Sequence, residues 1–203
     1  MKTRITLVLS TIFLFNLLLL SCGSQKMLTE GEERKLSKGN QPEWVNNYKI
    51  KNTKDKRAVV GVSKNYAMES SARSDAILQA QKEAITLISS RISRSIKEGL
   101  ASEAAAAEIV EEGAVKKDLT DLFTEGVFEG EVDQFYIEKF EKMVGGVKKH
   151  YYKAYVLLLY PRNLAKISAQ KILAMKKAKE TDQKRKNLIQ KAEDLVNQAN
   201  FDW

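Results

Sequence analysis

Two hydrophobic periods alternate along the chain. Arg57–Lys64 (RAVVGVSK) is a short run rich in valine and alanine and predicts a strand. Gly61 within it permits close backbone approach, most simply by a helix packed across the strand. From Ala72 to about Glu98, Ala76, Ile77, Ala80, Ala84, Ile85, Ile88, Ile92 and Ile96 recur at steps of three and four, the single stripe of an amphipathic helix. Ser70 or Ser71 offers its N-cap, its early alanines allow contact with a sheet, and Gly99 is its expected terminator. Residues 100–124 read as helical again, with Gly113 as a break, and form an expected insertion. Gly126–Lys142 predicts a strand whose apolar face changes parity between Val132 and Phe135, which a bulge near Asp133 and Gln134 would explain.

Gly145-Gly146 predicts a two-residue hairpin turn of positive φ. Val147–Tyr160 is the return strand, with Tyr152, Ala154, Val156, Leu158 and Tyr160 on one face. From Tyr155 onward the other face is apolar too, so this stretch is expected to be central and covered on both sides. Pro161 fits the first turn of a helix over Leu164–Ala178, with Leu164, Ile167, Ser168, Ile172 and Met175 inward. Residues 179–187 carry no apolar side chain. Leu188, Ile189, Ala192, Leu195, Val196 and Ala199 then form a last amphipathic stripe, which either continues the same helix or docks elsewhere.

This order implies an α+β fold. One strand plus a long hairpin make a mainly antiparallel sheet, packed by two long helices, with the helical insertion at 100–124 and a basic C-terminal helix. The expected organisation is 1–21 as a signal peptide, 22–41 as a lipidated cysteine and flexible linker, 42–178 as the α+β domain, and 179–203 as a basic helical extension. Pro42 biases Gln41 to an extended form, and Trp44 is large enough to anchor the start of the domain. In the linker a helix over Leu28–Leu36 is only weakly indicated. As a flexible coil, 23–41 has a mean reach on the order of 25 Å.

The first residues carry the most specific chemistry. Met1-Lys2-Thr3-Arg4 is basic without an acid. Ile5–Leu20 is apolar except for Thr6, Ser10, Thr11 and Asn16, and Ser21-Cys22-Gly23-Ser24 is a small-residue exit. These are the three parts of a secretory signal peptide. The apolar run falls short of the roughly 20 residues that a spanning helix needs. Leu19-Leu20-Ser21-Cys22 resembles the bacterial lipobox, which implies cleavage between Ser21 and Cys22 and a lipid on the Cys22 sulfur. Stable anchoring takes more than one acyl chain, and such a cysteine carries two or three. Cys22 is the one cysteine of the chain, so no intramolecular disulfide forms. Gly23 stands where an aspartate resembles an inner-membrane retention signal, which favours the outer membrane, with the periplasmic face as the default.

Composition fits this picture. The 203 residues are 43% hydrophobic and 30% charged, globular rather than disordered. Loss of Lys2 and Arg4 with the signal lowers the net charge from +8 to +6. Residues 162–199 hold ten basic and four acidic side chains, which equals that whole excess. Lys176, Lys177, Lys179, Lys184, Arg185 and Lys186 are therefore candidate contacts to an anionic surface, set against the plainer reading of a solvated helix. An exported lipoprotein does not routinely meet nucleic acid.

Pro42-Glu43-Trp44-Val45, Val59-Val60-Gly61-Val62-Ser63 with Tyr66-Ala67, the Ala/Ile-striped helix, and Tyr151-Tyr152-Lys153-Ala154-Tyr155-Val156-Leu157-Leu158 together resemble the LPP-twenty family of bacterial envelope lipoproteins, over roughly 42–165. The resemblance implies a lipid-anchored α+β domain with an envelope role and no catalytic residues. An envelope protein partner or self-association is expected separately, if the apolar stripe on 188–199 is exposed. The remaining candidates read as structural. His150, the single histidine, lacks partners for a triad or a metal cluster. Glu125, Glu129, Glu131, Asp133, Glu138 and Glu141 either bind a hard cation or, the favoured reading, pair across the hairpin with Lys148, Lys149 and Lys153. VVGVSK lacks the further glycines of a phosphate or dinucleotide loop. No cofactor and no metal are expected. A periplasmic binding protein for a small or polymeric ligand is the alternative to a non-enzymatic structural module.

Overall fold

A computed structural model of the chain describes residues 27–100, 111–125 and 130–198. The fold is α+β. Four strands, β1 (Glu33–Lys35), β2 (Lys56–Val62), β3 (Glu131–Val144) and β4 (Val147–Pro161), form an antiparallel sheet in the order β1-β3-β4-β2. The described helices are α1 (Glu43–Asn46), α2 (Glu69–Gly99), α3 (Glu112–Thr124), α4 (Leu164–Lys179) and α5 (Gln183–Gln198), with a 3₁₀ turn at Tyr48–Lys51. By contact the chain divides in two. The described residues up to Arg34 join Lys142–Lys149 in a small unit around the hairpin tip, and the rest form the main unit.

In the main unit β2 pairs antiparallel with β4, from Lys56 opposite Pro161 to Val62 opposite Tyr155. The pairing continues past the strand end, because Ser63 Oγ accepts the Ala154 N–H at 2.8 Å and Tyr66 and Tyr152 form an isolated bridge. Alternation along β4 divides the core. Ala154, Val156, Leu158 and Tyr160 join the cluster under the long helices, while Tyr155 and Leu157 join Trp44 and Ala58 on the other face. Helix α1 is thus a small cover set by one buried tryptophan, and β4 is apolar on both faces because both are covered.

Helix α2 follows the stripe read from sequence. Ala72, Ala76, Ala80 and Ala84 are buried at four-residue steps, then Ile85, Ile88, Ile92 and Ile96. The alanine half lies against β2. A Cβ built on Gly61 would come within 2.0 Å of the Ala76 carbonyl oxygen and 2.4 Å of the Ala80 nitrogen, so the helix crosses where the strand has no side chain. The isoleucine half shares its cluster with Val115, Leu119 and Leu122 of α3, Ala165, Ala169, Ile172 and Leu173 of α4, and Leu188, Ile189, Ala192 and Val196 of α5.

Several local expectations change. Helix α2 starts two or three residues earlier than a serine cap would place it, with Met68 at the N-cap and no side-chain cap. Asp75 instead ties down the preceding loop by accepting the Lys64 N–H at 2.8 Å. Gly99 is the last helical residue, and its missing Cβ makes room for Leu195 of α5, 2.7 Å from where it would lie. Gly113 sits in the first turn of α3 and does not break it. Pro161 ends β4, and α4 begins only at Leu164. Ile167 and Met175 are exposed, with Ala165, Ala169 and Leu173 inward in their place. The expected helix over 101–107 and the strand start at 126–129 lie outside the described residues.

Both ends of the expected domain extend further. The segment read as a flexible linker contains β1, and no helix forms over Leu28–Leu36. The C-terminal stripe does not continue α4. Glu180–Asp182 turns the chain, and α5 packs back on α4, with its four apolar residues inside the main core. Asp182 Oδ1 accepts the Arg185 N–H at 2.9 Å and caps α5.

Candidate functional site

Three features of the described residues could bear function: a polar clasp and a cleft in the main unit, and the hairpin tip.

The clasp centres on Glu138, which alternation places on the Trp44 face of β3. Its side chain is 6% exposed. Lys35 Nζ donates to Oε1 at 2.7 Å, Tyr155 OH to Oε2 at 3.0 Å, and Gln41 Nε2 to Oε1 at 3.3 Å. Lys35 also reaches Tyr136 OH at 2.9 Å, and Gln41 reaches Tyr155 OH at 3.2 Å. Burial pushes the Glu138 carboxyl up, but Lys35, Tyr155 and Gln41 outweigh it and hold the group below the usual glutamate range. A carboxylate so held is a fastener rather than a proton donor near neutral pH. It ties residues 35–41 to the middle of the sheet, helped by the Leu36 and Ser37 N–H groups on the Lys139 carbonyl.

Two other β3 acids also find partners outside the expected set. Glu131 pairs with Lys56, and Glu141 lies 3.8 Å from His150 Nε2. Lys153 lies over the Tyr155 ring, 5.4 Å from its centroid. His150 is a half-exposed strand side chain, and no metal-binding group of His, Cys, Asp or Glu occurs among the described residues.

The cleft lies between α2 and α3, with a volume of about 460 Å³. Leu78, Ile85 and Phe123 supply apolar surface, and Gln81, Lys82, Lys116, Thr120 and Thr124 supply the polar groups. The hydroxyls of Thr120 and Thr124 donate to the carbonyls of Lys116 and Thr120, one helical turn back. The two lysines and Gln81 are thus the outward chemistry, and no acid lines the cleft. No hydrophobic period reveals it, because Leu78 stands off the α2 stripe and the cleft is built by two helices together.

At the hairpin tip Gly145 and Gly146 have φ of 62° and 71°, the two positive values of a type I′ turn. Their N–H groups donate to the Glu30 carboxylate at 2.8 and 3.1 Å, which lowers the Glu30 pKa. The segment before β1 runs beside the tip, with the Gly31 N–H on the Met143 carbonyl and the Met143 N–H on the Glu32 carbonyl. Val144 and Val147, flanking the turn, are 40% and 60% exposed, and Met27 is 86% exposed.

Two of the six basic residues singled out from sequence are engaged between helices. Lys176 lies 3.3 Å from Asp118 and ties α4 to α3. Lys177 bonds Glu193 at 2.8 Å and also contacts Gln190, tying α4 to α5. Lys179, Lys184, Arg185 and Lys186 gather about the α4–α5 turn, together with Glu180 and Asp182. Ser21 and Cys22 lie outside the described residues. No helix among the described residues is long and apolar enough to cross a membrane.

Comparison with models of known families, with curated proteins and with solved structures found no match to this chain.

Proposed function

We propose that the chain is a lipid-anchored bacterial envelope lipoprotein, held through Cys22 on the periplasmic face of the outer membrane. There it acts as a non-enzymatic structural or interaction module. The observation that carries this reading is the run from Met1 to Cys22: a basic start, a short apolar core, and Leu19-Leu20-Ser21-Cys22 at its exit. The resemblance of 42–165 to LPP-twenty lipoproteins points the same way. The clasp and β1 add a mechanical reason, since an anchored domain must pass load between its lipid and its fold, and residues 31–37 are fastened by backbone hydrogen bonds and by the Lys35–Glu138 pair. The test is metabolic labelling with radioactive palmitate of the chain and of Cys22→Ser. Label in the first and none in the second is expected; label retained by the mutant would overturn the anchor.

The α2–α3 cleft favours a second reading, a binding protein for a small ligand. Its apolar wall, its paired lysines and its lack of acids suit a single-chain anionic amphiphile, and its volume falls within the range of ligand pockets. A dansyl-labelled fatty acid is the probe. Saturable binding that weakens about tenfold in Lys82→Glu/Lys116→Glu would support it, and binding indifferent to that change would remove it.

A further inference from the structure

The hairpin tip holds an arrangement of side chains that neither the sheet nor the core uses. A two-residue turn sets Val144 opposite Val147, so both side chains point to one face of the hairpin. Two residues back along each strand, on the same face, stand Lys142 and Lys149. The face therefore carries a pair of exposed valines at its extremity and a pair of cations about 7 Å behind them. Interfacial segments bury apolar side chains some 5–10 Å into the headgroup and acyl boundary, so the lysines would stand at the level of the phosphates. Entering such a boundary strips water from backbone donors, and the two outermost N–H groups, those of Gly145 and Gly146, are already satisfied by Glu30.

Chain length brings this tip to a membrane. Met27 belongs to the same small unit and is 86% exposed. It lies five residues after Cys22, a span of at most about 17 Å of extended chain.

We propose that the hairpin tip contacts the lipid surface to which the chain is anchored, with Val144, Val147 and Met27 in the interface and Lys142 and Lys149 on lipid phosphates. The proposal rests on the anchoring of Cys22. The two are separable by experiment because lipid occupies the single native cysteine, which leaves an engineered one free for a label. Lipidated chain carrying Val147→Cys, modified with an environment-sensitive NBD fluorophore, is reconstituted into vesicles of phosphatidylethanolamine and phosphatidylglycerol. Val144→Cys serves as a second position, and circular dichroism reports the fold.

Flotation with the vesicles reads the anchor independently of the label. The expected result is co-flotation, a blue-shifted emission and strong quenching by lipids brominated on the acyl chain. A chain that floats while both labels keep the spectrum of water overturns the tip contact and leaves the anchor standing. A chain that does not float, with labels in water, overturns both. A label shielded from water but not quenched by brominated lipid assigns the tip to a protein neighbour and overturns the lipid contact.

Discussion

Gly61 and Gly99 are both glycines against α-helical neighbours, yet the structure predicts opposite responses to alanine. At Gly61 the obstacle is backbone, the Ala76 carbonyl oxygen and the Ala80 nitrogen, and neither can yield without moving α2 off the sheet. Gly61→Ala is expected to cost about 3 kcal/mol, the upper end of overpacking. At Gly99 the obstacle is the end of the Leu195 side chain, which can rotate, and alanine is the better helix former by about 1 kcal/mol. Gly99→Ala is expected to change stability little. Urea unfolding of both variants checks this, and equal losses would contradict the packing described. Glu138 supplies a pH test. Its folded pKa is below the ordinary 4.5, so its share of stability is present above that value and fades as pH falls through the folded pKa. Glu138→Gln should cost about 1–3 kcal/mol near neutrality. The gap from wild type should close as pH falls from 4.5 through the folded pKa. A gap that persists unchanged in acid would mean that the carboxylate's charge is not what Lys35 and Tyr155 recognise.

At the scale of elements, α5 decides how the C-terminus is understood. It is polar where it begins and carries the excess charge nearby, features that suggest an appendage. But Leu188, Ile189, Ala192 and Val196 are within the main core. Burial of each larger side chain contributes about 1.5–3 kcal/mol, so a chain ending at Lys179 is expected to lose its cooperative unfolding transition. Full cooperativity in that truncation, followed by circular dichroism on heating, would make α5 dispensable. Charge at the α4–α5 turn is better tested by Lys179→Glu with Lys184→Glu, both at exposed sites. Weaker binding of the Cys22→Ser chain to phosphatidylglycerol vesicles, with a difference that disappears at high salt, is expected if those lysines meet anionic lipid. The sequence was legible wherever period and burial coincide: the α2 stripe, the two faces of β4, the Gly145-Gly146 turn and the close approach at Gly61. It was illegible where a few residues act through partners far along the chain. β1 is three residues without a pattern of its own, and Glu138 gains its clasp from Lys35 and Gln41, about a hundred positions away. The α2–α3 cleft was hidden for the same reason, since a cavity belongs to two helices and not to the period of either.

For the whole molecule, the place of β4 has a consequence for how the protein is made. β4 lies between β3 and β2 and is the last of the described strands to be synthesised. Its partners in β2 are on the order of 100 residues earlier, so the pairing that completes the sheet is of high contact order. A growing chain shorter than about 150 residues has the valines of β2 and the alanine stripe of α2 but no central strand for the sheet to form on. Such a chain is expected to keep no stable tertiary structure until most of it exists, with the final helical pair then closing over the core. If the chain is exported as proposed, as an extended polypeptide, that delay would be useful: the order of the strands would itself keep the precursor threadable, and folding would be completed on the side where the C-terminus arrives.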